Sequence, residues 1–110
     1  MQRIIITTAR YSELVNTQTI VYCKAEGSYT RLVLENNKQI LISRNLSWLE
    51  NFIESSLFIR PHRSFLVNLG YINRVFVNEG KIGLTKGVDI PVSRYKSKQV
   101  LEALHKFCLE

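Results

Sequence analysis

Short β-prone segments, separated at brief intervals by turn-forming residues, make up most of this sequence and limit it to a mainly β fold. The segments are rich in β-branched residues or alternate apolar with polar residues, which is typical of strands. Glycine, asparagine and serine mark turns at residues 25–28, 35–38, 78–81 and 86–87. We therefore predict antiparallel strands near residues 3–8, 19–24, 29–35, 40–42, 64–69, 71–78, 82–85 and 88–92, with a polar connection over residues 11–18.

A short helix is predicted near residues 45–54, where the apolar spacing changes from two to between three and four. The apolar positions at this spacing are Leu46, Leu49, Phe52 and Ile53. Ser43 or Asn45 can cap the helix with a side-chain oxygen. Trp48 is expected to pack in the core rather than stack on a base.

A second helix is predicted near residues 93–108, at the carboxyl-terminal end. Its apolar stripe consists of Val100, Leu101, Leu104, Phe107 and Cys108, and Ser93 is the candidate N-cap. Basic side chains crowd the predicted first turns, where they oppose the helix dipole, at Arg94, Lys96 and Lys98. Because a bound anion would offset this repulsion, we interpret the cluster as pointing to phosphate contact.

The segment from residue 58 to residue 68 places three side chains that can contact anions in front of an alternating apolar strand. These side chains are Arg60, His62 and Arg63. Pro61 lacks a backbone donor and biases the preceding residue towards extended geometry, which predicts a short exposed turn. In the strand that follows, Phe65 and Val67 share one face with Leu69, so we expect it to be half buried.

Length and charge indicate one domain, spanning residues 1–110, with a polyanionic partner. The chain is too short for two domains of ordinary size. Its formal net charge is +6, and residues 57–98 alone hold eight basic and two acidic residues. This concentration favours a nucleic acid over a merely solvated basic face, which stays open as the alternative.

Membrane, metal and enzyme functions are not expected. Apolar runs are only a few residues long, and residues 1–15 are too polar for a secretory signal, so we expect a cytoplasmic protein. Cys23 and Cys108 form no metal-binding motif and are predicted to be reduced, packed thiols. Two histidines and a single aspartate leave too few groups for a catalytic or metal site, and no cofactor is expected.

Three pieces in this order resemble the LytTR (LytR/AgrA-type) DNA-binding domain. They are Tyr22–Thr30, Phe58–Asn68 and Ile90–Arg94, and the resemblance covers about residues 15–105. It implies antiparallel β-sheets with short helices, in a bacterial transcription regulator. It also implies that loops read double-stranded DNA in successive major grooves, with paired repeats as targets and a homodimer on the DNA.

The resemblance also assigns roles to individual residues. Base edges would be contacted by Tyr29 or Thr30, by Arg63 and by Arg94. Backbone contacts or supports would be Arg31, Arg44, Asn45, Arg60, His62, Ser64, Asn68, Ser93 and Lys96. Asn68 could equally hold a loop by hydrogen bonding, and a neutral supporting role is favoured for His62. We expect His105 to be structural or solvent facing.

Many members of that family carry an amino-terminal receiver domain of a two-component system, and nothing of that length precedes residue 15 here. We therefore expect either a fragment of a response regulator or a regulator controlled in another way. Two further functions stay open. One is a single-stranded nucleic acid or RNA module that stacks bases on Tyr29, Phe65, Tyr71 and Tyr95. The other is a protein-binding β module with a basic surface.

Overall fold

A computed structural model describes residues 2–109. The strands are β1 (Arg3–Thr7), β2 (Ser12–Asn16), β3 (Ile20–Glu26), β4 (Tyr29–Leu34), β5 (Gln39–Ile42), β6 (Phe58–His62), β7 (Phe65–Asn68), β8 (Ile72–Phe76), β9 (Lys81–Leu84) and β10 (Asp89–Pro91). The helices are α1 (Leu46–Glu50) and α2 (Ser97–Cys108), and 3₁₀ turns lie at Thr17–Thr19, Leu69–Tyr71 and Thr85–Gly87. The predicted fold class, antiparallel β-sheets with two helices, is confirmed.

The central element is a five-stranded antiparallel sheet in the order β5-β4-β3-β7-β6. Strand β7 is buried on both faces, because Leu66 packs into one core and Val67 into another. The prediction of a half-buried strand at residues 64–69 is therefore wrong. Alternation separates the two faces of a strand, but it does not show that both faces are covered.

The first core lies between this sheet, helix α1 and the hairpin of β1 and β2. Ile6 from β1 and Val15 from β2 reach into it beside Leu32 and Leu49. The predicted polar connection over residues 11–18 is wrong, since Ser12–Asn16 forms β2 and pairs with β1 along its whole length. Val15 is the one buried residue of β2, so the composition of this segment did not indicate a strand.

The second core lies on the opposite face, under the three-stranded sheet β10-β9-β8 and helix α2. Val67 of the central sheet, Ile82 of β9, Ile90 of β10 and Val100 of α2 meet there. The molecule is therefore layered, with the central sheet between two apolar cores. None of the helices in residues 2–109 is long and apolar enough to cross a membrane.

Helix α1 is shorter than predicted, and the Asn45 side chain caps its amino-terminal end. The Asn45 Oδ1 atom accepts a hydrogen bond from the backbone N–H of Trp48 at 2.8 Å, which is an N-cap contact. Trp48 is half-buried and packs against the first core. The Phe52 ring contacts it at a tilt, with 4.6 Å between ring centroids, but Phe52 is itself exposed, contrary to the predicted apolar stripe.

Helix α2 begins four residues later than predicted. Ser93 is not its N-cap, because the Ser93 backbone N–H is bonded to the Pro61 carbonyl and Lys96 occupies the cap position. Arg94 therefore precedes the helix, whereas Lys96 at the cap position and Lys98 in the first turn lie at the positive end of the helix dipole. Cys108, at the far end of α2, is exposed, whereas Cys23 is buried, so the prediction of a packed thiol holds for Cys23 only.

Candidate nucleic-acid interface

Three connections leave the central sheet at the same end. Residues 27–28 join β3 to β4, residues 63–64 join β6 to β7, and residues 43–45 follow β5. The strand register shows this, since Lys24 lies opposite Phe65 and Thr30 lies opposite Ile42. The Ala25 backbone N–H also donates to the Ser64 carbonyl at 2.8 Å. Neighbouring strands thus hold the turns in fixed relative positions.

The segment before α2, residues 93–96, lies against the same end of the sheet. The Ser93 N–H donates to the Pro61 carbonyl at 2.7 Å, and Lys96 Nζ donates to the Arg60 carbonyl at 3.1 Å. We call these four segments the loop end; they are residues 27–29, 43–45, 63–64 and 93–96. Across the sheet they follow the order 93–96, 63–64, 27–29 and 43–45.

Three of the four predicted base-reading residues are exposed at the loop end. Tyr29 is 47% exposed, and Arg63 and Arg94 are exposed as well. The Arg94 guanidinium lies 5.6 Å from the ring centroid of Tyr95, which is 83% exposed. Tyr95 is not among the predicted duplex contacts, although its position beside Arg94 in a basic segment is the signal that could have found it.

Thr30 does not have the predicted base-reading position. Its side chain is fully buried, and its hydroxyl donates to the Arg44 carbonyl at 2.7 Å. Successive residues of a strand point to opposite faces, and Thr30 shares the buried face of β4 with Leu32. We therefore correct its role to a support that joins β4 to residues 43–45.

Arg31 supports the turn at residues 27–28. Its guanidinium makes two parallel bonds to Glu26, from Nε at 2.6 Å and from Nη2 at 3.0 Å, and Nη1 reaches Gln39 at 3.2 Å. The hydrogen bond from Arg31 holds the pKa of the Glu26 carboxyl below its ordinary value. Strands β3 and β4 are thereby joined by a side-chain contact beside Tyr29.

Asn68 is buried and bonded to the backbone of the protein. It is 2% exposed and lies at the end of β7 opposite the loop end. Its Nδ2 donates to the carbonyls of Ile20 at 2.9 Å and Gln18 at 3.3 Å, and its Oδ1 accepts from the Gly70 N–H at 2.8 Å. Of the two roles left open for Asn68, hydrogen-bonded support is the one that its burial allows.

His62 and Ser64 shape the turn between β6 and β7. The His62 Nδ1 atom accepts a hydrogen bond from the Ser64 N–H at 3.1 Å, which requires that nitrogen to be unprotonated. The bond lies within the turn and links its two ends, and the supporting role of His62 stays a prediction. The imidazole also meets Phe65 edge to face, at 5.9 Å between ring centroids.

Arg44 contributes an exposed cation at the other side of the loop end. Its guanidinium lies 4.9 Å from the centroid of the Trp48 ring, so the aromatic face holds it in place. Exposed cations also stand at Lys24, Arg63, Arg94 and Lys98. Within residues 2–109, no group of three or more metal-ligating side chains occurs. The arrangement is therefore equipped to bind an anionic surface.

The sequence matches the LytTr DNA-binding domain over residues 11–105. The chain belongs to this family. LytTr domains are DNA-binding domains of transcription regulators and not a catalytic family. The resemblance noted from three sequence segments is thereby confirmed.

Relatives of this LytTr domain are longer regulators. The chain is 33% identical over 95 residues to the sensory transduction protein LytT of Bacillus subtilis, covering 84% of this chain and 39% of that protein. It is 30% identical over 95 residues to the heme-containing CO-sensing transcriptional regulator RcoM 2 of Paraburkholderia xenovorans, covering 83% of this chain and 35% of that protein. The chain thus spans well under half the length of these relatives.

A solved LytTr DNA-binding domain from Bacillus cereus has the same fold. The two superpose with a TM-score of 0.78 at 21% sequence identity, covering 94% of this chain and 97% of that chain. The layered arrangement of the central sheet between two cores is therefore the LytTr fold.

Proposed function

We propose that this LytTr domain binds double-stranded DNA in a sequence-specific manner, as the output domain of a bacterial response regulator of a two-component system. The observation that carries the proposal is the exposure of Tyr29, Arg63 and Arg94 in three adjacent segments of one sheet end. The two relatives described above bear names of different sensory functions while sharing this segment. That difference supports an output role, with sensing carried by another domain.

The order of the segments supports a docking geometry in which loops face the duplex. Arg63 lies between Arg94 on one side and Tyr29 on the other. The outer segments enter successive major grooves on one side of the duplex, and Arg63 faces the base edges between them. Arginine can donate two parallel bonds to guanine O6 and N7 and also contacts narrow minor grooves.

Arg44 and the basic residues near α2 would contact phosphates around these segments. Contacts of this kind fix the orientation of a protein on the duplex without reading its sequence. We propose paired repeats as the target, with one copy of the domain on each repeat. Two copies would then form a homodimer on the DNA, with half-sites spaced by about one helical turn, roughly 34 Å.

Selection of bound duplexes from a random pool tests the proposal, followed by affinity measurements on the selected and a scrambled duplex. Arg63→Ala and Arg94→Ala should each lower the ratio of specific to non-specific affinity by about tenfold, since a bidentate arginine–guanine pair contributes about 1–3 kcal/mol. Each should relax the preference at a different base-pair position. Selection that returns no preferred sequence would contradict the proposal.

Lys98→Ala is the matched control for charge. Lys98 is an exposed cation in the first turn of α2. Its removal should weaken binding to both duplexes equally and make the log–log salt dependence shallower by about 0.9, the value for one phosphate contact. A loss of specificity in this variant equal to that of Arg94→Ala would contradict the base-reading role of Arg94.

Binding of single-stranded nucleic acid is the second candidate, and the exposed rings of Tyr29 and Tyr95 favour it. Two of the four aromatic residues predicted to stack on bases make contacts within the protein, however. Phe65 packs against Tyr22 in the second core, and the Tyr71 hydroxyl donates to Glu35. Competition between duplex and single strands of one sequence separates the candidates, and preference for the single strand would favour this one.

A further inference from the structure

The Arg60 side chain is turned into the protein at the loop end. Its Nη1 donates to Glu50 Oε1 at 2.8 Å and to Ser47 Oγ at 3.0 Å, and its Nη2 donates to the Arg63 carbonyl at 2.7 Å. The side chain is 21% exposed, and Nε is buried with no hydrogen-bond partner among the described residues. With Nη1 and Nη2 already bonded to neighbouring protein groups, this guanidinium is poorly placed to contact a phosphate.

The turn that Arg60 holds needs such support. Residues 63–64 form a two-residue connection, because His62 and Phe65 are paired across β6 and β7. Two-residue hairpins favour turns with positive φ, which match the twist of the strands. Within residues 2–109, the non-glycine residues with positive φ are Asn37 and Lys86, so Arg63 and Ser64 adopt the less favoured kind of turn. Side chains from outside the turn therefore hold its backbone.

Glu50 is an unexpected residue at a surface that faces DNA. Its side chain is 44% exposed, at the end of α1, and its charge repels phosphates. Electrostatics alone would disfavour an acid at this position. Its contact with Arg60 gives it another function, since it fixes the guanidinium that in turn binds the backbone of Arg63.

We propose that Glu50 and Arg60 are positioning residues for Arg63, so that an acidic side chain is required for sequence reading by this domain. The inference rests on the proposed function and adds two residues that do not touch the DNA bases. Glu50 orients Arg60 from helix α1, and Arg60 fixes the carbonyl of Arg63 and thus the direction of its side chain. The Lys96 bond to the Arg60 carbonyl extends this support to the segment that carries Arg94.

Glu50→Gln tests the inference because a positioning role and a role in charge repulsion predict opposite changes in affinity for the selected duplex. If Arg60 and Glu50 acted through charge alone, loss of the acid would raise the affinity for every duplex. As a positioning residue, Glu50→Gln should lower affinity for the selected duplex about fivefold and leave binding to the scrambled duplex equal or slightly tighter. The base preference of the Glu50→Gln variant should relax at the same base-pair position as in Arg63→Ala, and not at the position read by Arg94.

Arg60→Lys is a second test of the inference, and Glu54→Gln is its control for charge. Arg60→Lys keeps the charge but loses the planar fork, so it should reproduce the loss of specificity with an unchanged salt dependence. Glu54→Gln removes the same charge from an exposed residue outside the Arg60 contacts and should keep full discrimination. Unchanged unfolding midpoints in urea show that the variants are folded.

Three outcomes would overturn the inference, and they are distinct. If the wild-type domain binds selected and scrambled duplexes equally, the proposed function and the inference both fail. If the wild type discriminates and Glu50→Gln and Arg60→Lys discriminate equally well, the positioning role fails while the proposed function stands. A gain of affinity for the selected duplex in Glu50→Gln would show that Glu50 acts by repulsion alone.

Discussion

Lys96 Nζ donates to the carbonyl oxygen of Arg60 at 3.1 Å, so the segment before helix α2 is bound to strand β6. The Ser93–Pro61 backbone bond runs beside it at 2.7 Å. Helix α2 packs on the second core through Val100, whereas β6 belongs to the central sheet. The two bonds therefore join the segment before helix α2 to the central sheet at the loop end.

Gly27→Ala should destabilise the domain by about 1–2 kcal/mol, the cost of placing a residue with a Cβ atom in the left-handed region. Gly27 has φ of +61°, and no atom lies within 4 Å of a Cβ built there, so the effect is backbone strain and not a clash. Urea unfolding measures the change. Ser28→Ala, in the same turn, should stay within about 0.5 kcal/mol, and an equally stable Gly27→Ala would show that the turn relaxes freely.

Asn68→Ala should cost about 1–3 kcal/mol of unfolding free energy, because it leaves buried backbone groups without partners. The Ile20 carbonyl and the Gly70 N–H are the groups affected most directly. The ratio of specific to non-specific DNA affinity should not change, since Asn68 lies at the opposite end of β7 from the loop end. The exposed Asn73→Ala serves as control. A loss of DNA affinity without loss of stability would restore the phosphate-contact role.

The two cysteines should react at very different rates with a disulfide reagent. Burial raises the pKa of the Cys23 thiol far above its ordinary range, whereas Cys108 is exposed. One thiol per chain should therefore react in the folded protein and both in denaturant. Cys108→Ser should abolish the reaction of the folded form, and rapid labelling of that variant would show that Cys23 is accessible.

The Tyr71 hydroxyl should ionise at a higher pH in the folded protein than in the unfolded chain. Burial, followed by its hydrogen bond to Glu35, raises the Tyr71 pKa to about 12 from an ordinary value of 10.0. Between these pH values the unfolded chain releases this proton and the folded chain keeps it, so the contribution of Tyr71 to stability declines as pH rises. Tyrosinate absorbance of the wild type and of Tyr71→Phe, compared across this range, should differ near pH 12. A difference near pH 10 would contradict the assignment.

Local sequence patterns predicted most strands and turns, because alternation and turn chemistry act over a few residues. They failed where tertiary contacts decide. Ser93 is a suitable N-cap by residue type, but its backbone N–H bonds to Pro61 and the helix begins at Ser97. Strand β7 is covered on its second face by a sheet formed of residues that follow it in the chain.

The candidate site was predicted unevenly for a similar reason. Arg63 and Arg94 were assigned from the resemblance to the family's sequence segments, and both are exposed at the loop end. Thr30 could have been excluded, since alternation places it on the buried face with Leu32. The contact between Glu50 and Arg60 could not have been found, because a ten-residue separation across an irregular connection has no fixed geometry in sequence.

The brevity of the connections at residues 27–28 and 63–64 limits how this domain could acquire a different target. Each has two residues between paired strands, and in so short a hairpin the type of turn and the register of the strands are coupled. Under the proposed function, exchanging side chains at these positions would change the target while keeping the strand pairing, whereas a longer connection would require a different turn.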